Sequence, residues 1–433
     1  MSQNTASTRS PWSWVPTGYF AEGLPYVMIT WVAATMFKNL GHSDTEITFW
    51  VGNLTLVWSL KPLWAAFLDM FKTKKWIVLV MEVLIAGLLG LVAFTLSLPA
   101  YFHISIAVLL LMAFASATQD ICMDGIYITT LDKKMQAKYV GFLGLFWNIG
   151  RLFSMSVIVF VASYFGEGQT SSWAIAWCVA AGVMSALAGY HLFFLPKGSV
   201  SKRPESFKEV RTTFLDAWVD FFRKPQIWGM LMFVFLFRSG EGLLLGVGHL
   251  FLQADPAAGG IGLSLAQKSV IDGMVSIAAS LVGGILGGLF ISKYGLKKTL
   301  FTMAICLNLP NLTYVYLAYA ADGGQPVTLV TVATLVTIEK FFYSFGFVAN
   351  MLYMMQQISP GKYHMTHYAF CTAIMNLVLW PTTAVSGLLA DYFGYFVFFI
   401  IVMFATIPSF FAAWFAPFPR NESEAKSASA SAG

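Results

Sequence analysis

Asp120 and Asp124 stand four residues apart in a long apolar segment, which places both carboxylates on one face of one helix, a turn apart. Like charges that close cannot both stay ionised where polarity is low, so one of them is expected to take a proton. Five more acids, Glu22, Glu82, Glu241, Asp272 and Glu339, also fall in apolar segments, with four bases, Lys61, Arg151, Arg238 and Lys340. An ionisable group at bilayer depth is costly, so it faces a protein interior and marks a pathway or a proton relay. Arg151 is the expected counter-ion of the Asp120–Asp124 pair. Arg238 and Glu241, three residues apart, can pair on one helix face, and the flanking Gly240 and Gly242 loosen the backbone there. Glu22 precedes Gly23 and Pro25, which are expected to break or kink its helix. Lys61 requires a carboxylate on another helix or a ligand oxygen. Glu339 and Lys340 are adjacent, project differently and are not expected to pair. Glu82 and Asp272 are expected nearer a membrane surface.

Trp147 and Asn148 lie one turn from Arg151, where an aromatic face and an amide suit a sugar ring; Gln119 beside Asp120 joins them as a candidate ligand contact. His364 and His367 are spaced HxxH without a further ligand nearby, so no metal is expected. The cysteines, Cys122, Cys178, Cys306 and Cys371, lack CxxC spacing and imply neither disulfide nor metal. No nucleophile elbow, HExxH, P-loop or dinucleotide fingerprint has its required context, so neither an enzyme nor a cofactor is expected. Without a P-loop, uphill transport would have to draw on an ion gradient or a partner.

These residues need elements that hold them in a bilayer. The 433-residue chain is 58% hydrophobic and 11% charged, against about 25% charged for a soluble domain, with a mean hydropathy of +0.69. A soluble enzyme, a nucleic-acid binder and a disordered regulator are all excluded on that arithmetic. A helix needs about 20 apolar residues to cross. The sequence offers twelve such spans, near 12–37, 46–69, 75–98, 102–131, 140–165, 173–195, 226–253, 264–292, 298–320, 328–358, 364–391 and 393–416. The polar start, with Arg9 alone, is not a cleavable signal peptide. Of the 26 Lys and Arg, Lys38 and Lys268 are assigned to outer loops and four lie within spans; the rest fall on the side of the N-terminus. That asymmetry puts both termini in the cytoplasm.

Four regions follow: an N-terminal six-helix half, 1–195; a cytoplasmic linker, 196–225; a C-terminal half, 226–416; and a disordered tail, 417–433. In the linker Phe207, Val210, Phe214, Trp218 and Phe221 recur at helical steps, the pattern of an amphipathic helix lying on the membrane surface. The halves repeat each other. Glu22-Gly23-Leu24 returns as Glu241-Gly242-Leu243, and Asp120 as Glu339, each 219 residues later; Tyr164-Phe165-Gly166 returns as Tyr392-Phe393-Gly394 after 228. Two like-oriented halves of six helices describe the major facilitator architecture, with substrate near the midplane between them. The stretch Gly288-x-x-x-Ser292-Lys293-x-Gly295-x-Lys297-Lys298 resembles that superfamily's G-x-x-x-D-R-x-G-R-K loop, and Asp69 retains the acid in the first half. Asp69, Gly288, Lys293 and Gly295 are therefore the candidate cytoplasmic gate.

Ser116-Ala117-Thr118-Gln119-Asp120, followed by Asp124, closely resembles the span-four signature of AmpG-type muropeptide permeases, whose relatives include acetyl-coenzyme A transporters and some siderophore permeases. Glu22-Gly23-Leu24-Pro25, Lys61-Pro62-Leu63-Trp64 with Asp69, and Arg238-x-Gly240-Glu241 are similar to further elements of that family. The resemblance implies proton-coupled uptake of anhydro-muropeptides across a bacterial inner membrane. Gly125, where those permeases usually carry Ala, leaves the ligand open. The expectation is an all-α membrane protein with protons and a small anionic sugar–peptide as partners, no nucleic acid and no cofactor. Glu22, Asp120, Asp124, Glu241 and Glu339 would carry protons or gate; Lys61, Gln119, Trp147, Asn148, Arg151 and Arg238 would meet substrate. A siderophore or acyl-coenzyme A carrier is the nearest alternative, and a non-transporting receptor the distant one.

Overall fold

The computed structural model describes residues 10–68, 73–131, 133–198, 207–325, 327–361 and 363–419. Asp69 lies outside them, as do the side chains of Phe207, Val210, Phe214 and His364. Among the described residues eleven helices are long and apolar enough to cross a membrane. Span one is Pro11–Asn39, span three Lys75–Thr95, span four Tyr101–Thr130 and span six Thr170–Phe194. Span five, Phe142–Phe165, continues a helix that starts at Lys133. Spans seven to ten are Ile227–Phe251, Leu265–Tyr294, Leu296–Asp322 and Leu329–Ile358. Span eleven is His364–Phe393 and span twelve Tyr395–Phe415.

The twelfth element, span two, is present in three pieces: Asp44–Leu54, Leu56–Ser59 and Pro62–Leu68. Two local causes explain its breaks. The Thr55 hydroxyl donates to the Gly52 carbonyl at 2.7 Å, competing with the ladder, and Pro62 has no N–H to offer the preceding turn. Lys61 sits at the second joint. Span one, by contrast, does not break at Pro25. The helix runs through the proline and widens into a π turn at Met28–Val32, where the Met28 N–H reaches both Leu24 and Pro25 carbonyls. The interruption expected there occurs in span seven, between Leu236 and Glu241, so Glu241 opens a fresh helical segment.

The chain divides into two compact units. One comprises 1–33 with 60–213; the other comprises 34–59 with 214–432. In the first, span one meets span five so closely that a Cβ at Gly23 would lie 2.3 Å from the Trp147 carbonyl oxygen, and one at Gly150 2.6 Å from that of Phe20. Close backbone approach of this kind is how membrane helices pack when no hydrophobic force drives them together. In the second, Gly283 and Gly287 bring span eight onto span ten in the same way. Gly288, one residue on, reaches only Val348, at 4.0 Å. Gly295, at φ +87°, ends span eight in a conformation that favours glycine.

In the linker helix, Phe207–Phe222, Phe221 is fully buried against His367 and Phe370, and Trp218 meets Phe370 edge-on at 5.1 Å. This part of its apolar face packs on span eleven within the second unit, while Trp218 stays 45% exposed.

Candidate functional site

In the first unit four elements converge. Lys61, at the joint in span two, forms an ion pair with Asp120 of span four, and about a quarter of each side chain is exposed (24% and 23%). Asp124, a turn along, accepts a hydrogen bond of 2.9 Å from the Tyr19 hydroxyl of span one. Glu22, also on span one and 5% exposed, lies within electrostatic reach of Lys61, Asp124 and Glu82. Its Oε1 has no hydrogen-bond partner among the described residues. The expected counter-ion therefore changes: Lys61, not Arg151, neutralises Asp120. The joint explains why, since the restart at Pro62 presents the lysine toward span four. The Arg151 guanidinium instead lies over the Trp31 ring, 5.6 Å from its centroid.

Gln119 is wholly buried, donating to Glu82 at 3.2 Å and to the Ala21 carbonyl at 3.4 Å, so it holds spans three, four and one together. Glu82 is likewise fully buried, against His191 of span six. Trp147 packs against Tyr26 at 5.6 Å, and the Asn148 amide donates to the Gly144 carbonyl of its own helix. Gly125 is filled from the side: a Cβ there would fall 2.4 Å from Cδ of Lys74. The missing methyl makes room for that lysine.

The second unit holds three acid–base pairs. Arg238 forks onto Glu241 through Nε and Nη2, Tyr343 of span ten donates to the same carboxylate, and the guanidinium covers the Phe347 ring at 4.8 Å. Bidentate pairs of this type are the strong ones. Lys268, assigned from sequence to an outer loop, is fully buried; it donates to Asp272 at 2.9 Å and to the His249 carbonyl at 2.6 Å. Asp272 is buried within the protein. Glu339 and Lys340 do pair, at 3.0 Å, contrary to expectation, although both Glu339 carboxylate oxygens lack a hydrogen-bond partner among the described residues. A third cluster involves residues 34–59: Lys38 reaches Asp44 at 2.6 Å, and the Tyr395 hydroxyl donates to the other oxygen of Asp44, also at 2.6 Å. Lys293 of the candidate gate lies beside the Tyr294 ring at 5.1 Å.

Tyr19, His191, Lys268, Tyr343 and Tyr395 were invisible to a search for charges within spans. Lys268 and Asp272, opposite charges at i and i+4, carried a signal; the tyrosines carried none among 17. Among the described residues no group of three His, Cys, Asp or Glu could hold a metal, and His367 spends Nε2 on the Ala217 carbonyl at 3.0 Å.

Comparison with known proteins places this geometry. AmpG 4 of Rickettsia conorii, a provisionally named transporter, is 24% identical over 403 residues, covering 90% of this chain and 92% of its own. The anhydromuropeptide permease of Escherichia coli K12 is 20% identical over 399 residues, covering 90% and 76%. Among solved structures, the nucleoside transporter NupG superposes with a TM-score of 0.71 at 16% identity, over 94% of this chain and 98% of that one. A D-xylose-proton symporter gives 0.65 at 13%, over 93% and 97%. These likenesses describe the fold. The profile of the Major Facilitator Superfamily matches residues 17–338, well over half the chain, and this multi-pass membrane protein, a transporter with AmpG-type relatives, belongs to that superfamily.

Proposed function

We propose that the chain imports anhydro-muropeptides or related amino-sugar fragments by alternating access, driven by protons, across a bacterial inner membrane with both termini cytoplasmic. The observation that carries the reading is the first unit's excess of acid within its spans, Glu22 buried and Asp120 and Asp124 partly open. Glu22, Asp120 and Asp124 share one lysine, and Glu22 keeps a buried oxygen without a hydrogen-bond partner. Such a cluster gains stability by taking a proton. The second unit, whose carboxylates Glu241, Asp272 and Glu339 each face a base, gates instead. Arg151, Trp147 and Asn148 are assigned to the sugar–peptide, the first for its acidic groups. Asp69, Gly288, Lys293 and Gly295 are assigned to the cytoplasmic gate, and 1–195 and 226–416 to the moving halves.

The E. coli relative's name and the span-four motif support the substrate class. The contact of Lys74 with Gly125 gives that glycine a packing reason independent of the ligand. Counterflow into proteoliposomes loaded with unlabelled anhydro-muropeptide tests the assignment. Labelled muropeptide should accumulate, and excess muropeptide, but not acetyl-coenzyme A or a ferric siderophore, should suppress it. Counterflow of either competitor in place of muropeptide would reassign the substrate.

A further inference from the structure

Glu82 and His191 stand apart from the acids assigned above. Both side chains are wholly buried, and the ring Nδ1 lies 2.7 Å from Oε1 of the carboxylate. The other ring nitrogen, Nε2, is 2.9 Å from the Thr17 hydroxyl of span one. Gln119 donates to the same Oε1, while Oε2 has no hydrogen-bond partner among the described residues. Nor does any Lys or Arg among them form an ion pair with Glu82. A buried carboxylate beside a neutral imidazole would leave an uncompensated charge, at a cost of several kcal/mol. One proton held in common makes the pair neutral, and it then belongs to the pair rather than to either residue.

The groups that face this pair determine how firmly the proton is held. Span six supplies His191 itself, span four the neutral amide of Gln119, and span one Glu22, within electrostatic reach of Glu82. The two acids of span four are engaged elsewhere, with Lys61 and Tyr19. Thr17 and the Ala21 carbonyl, both N-terminal to Glu22 in sequence, anchor the network to span one. We infer that Glu82 and His191 form a second proton-binding site in the first unit, off the substrate pathway. This rests on the proton-coupled reading above for its purpose, though not for its test.

The test reads the imidazole directly. The full-length protein, labelled with 15N-histidine, is placed in lipid nanodiscs and its six histidines are followed by NMR across about pH 5 to 9. His191 is assigned by the signal missing from H191Q and, should that variant not fold, by replacing the other histidines one at a time. The ring should be cationic at neutral pH and lose its proton as pH rises. In E82Q the ring should be neutral at pH 7. A ring that stays in one protonation state throughout, or a cationic ring in E82Q, would overturn the inference and leave a structural contact. Because uptake is not the readout, a wrong substrate assignment does not affect this outcome.

Discussion

Lys61 neutralises Asp120 from the point where span two stops and restarts, so the ion pair that joins spans two and four hangs on a joint rather than on a rigid helix. Glu22 and Asp124 also lie within electrostatic reach of this lysine.

Removing either charge of that pair should abolish coupled uptake. K61Q and D120N are each expected to lose at least tenfold in initial rate, and the exchange K61D/D120K to recover part of it. Stability should fall by less than the about 3–5 kcal/mol of a fully buried pair, because a quarter of each side chain is exposed. Uptake rates and thermal unfolding of the three variants check both statements. A swap no better than the single variants would show that position, not pairing, matters.

The fork between Arg238 and Glu241 is nearly buried, with exposures of 6% and 5%. R238K keeps the charge but cannot reproduce two parallel hydrogen bonds. R238A and E241Q should each destabilise the fold by about 3–5 kcal/mol and R238K by less, ranked by thermal unfolding in detergent. Y343F, which removes one donor to the same carboxylate, should cost about 1–3 kcal/mol.

Span one and span five meet through glycine. G23A sets a methyl carbon 2.3 Å from the Trp147 carbonyl oxygen, and the backbones must part. Overpacking of that kind costs about 1–3 kcal/mol. G87A, where nothing lies within 4 Å, is the control and should unfold with the parent. Fluorescence-detected size exclusion after heating separates the two.

The cluster of Lys38, Asp44 and Tyr395 ties the 34–59 segment into the second unit. D44N weakens both hydrogen bonds to its carboxylate and Y395F removes one. Both should lower the unfolding temperature, D44N more than Y395F. An equal effect would show that Lys38 contributes nothing to the hold on Asp44.

Much of the fold was legible because the bilayer leaves few choices: apolar runs of fixed length become helices, and among the described residues eleven of the twelve expected spans are long and apolar enough to cross a membrane. Span two escaped because Thr55 and Pro62 act on local hydrogen bonding, which hydropathy does not register. Pro25 misled in the opposite sense: the helix runs on, and the Ala21 carbonyl that its missing N–H frees accepts from Gln119. The buried acids were legible as a set, but not their partners. Arg151 was the nearest base by span order, yet the joint at Lys61 governs which base reaches Asp120. Lys268 was misassigned because a lysine near a span end reads as a loop residue until its carboxylate, a turn away, is seen to take it inward.

The central claim is that the acids of the first unit couple protons to import. It is tested most directly by uptake of labelled anhydro-muropeptide into proteoliposomes under an imposed pH gradient, comparing the parent with D124N. An inward proton gradient should raise the parent's initial rate at least tenfold over no gradient. D124N should show no such rise yet retain counterflow, because Asp124 touches Tyr19 and not the residues assigned to substrate. A parent indifferent to the gradient, or a D124N that responds to it as the parent does, would contradict the account.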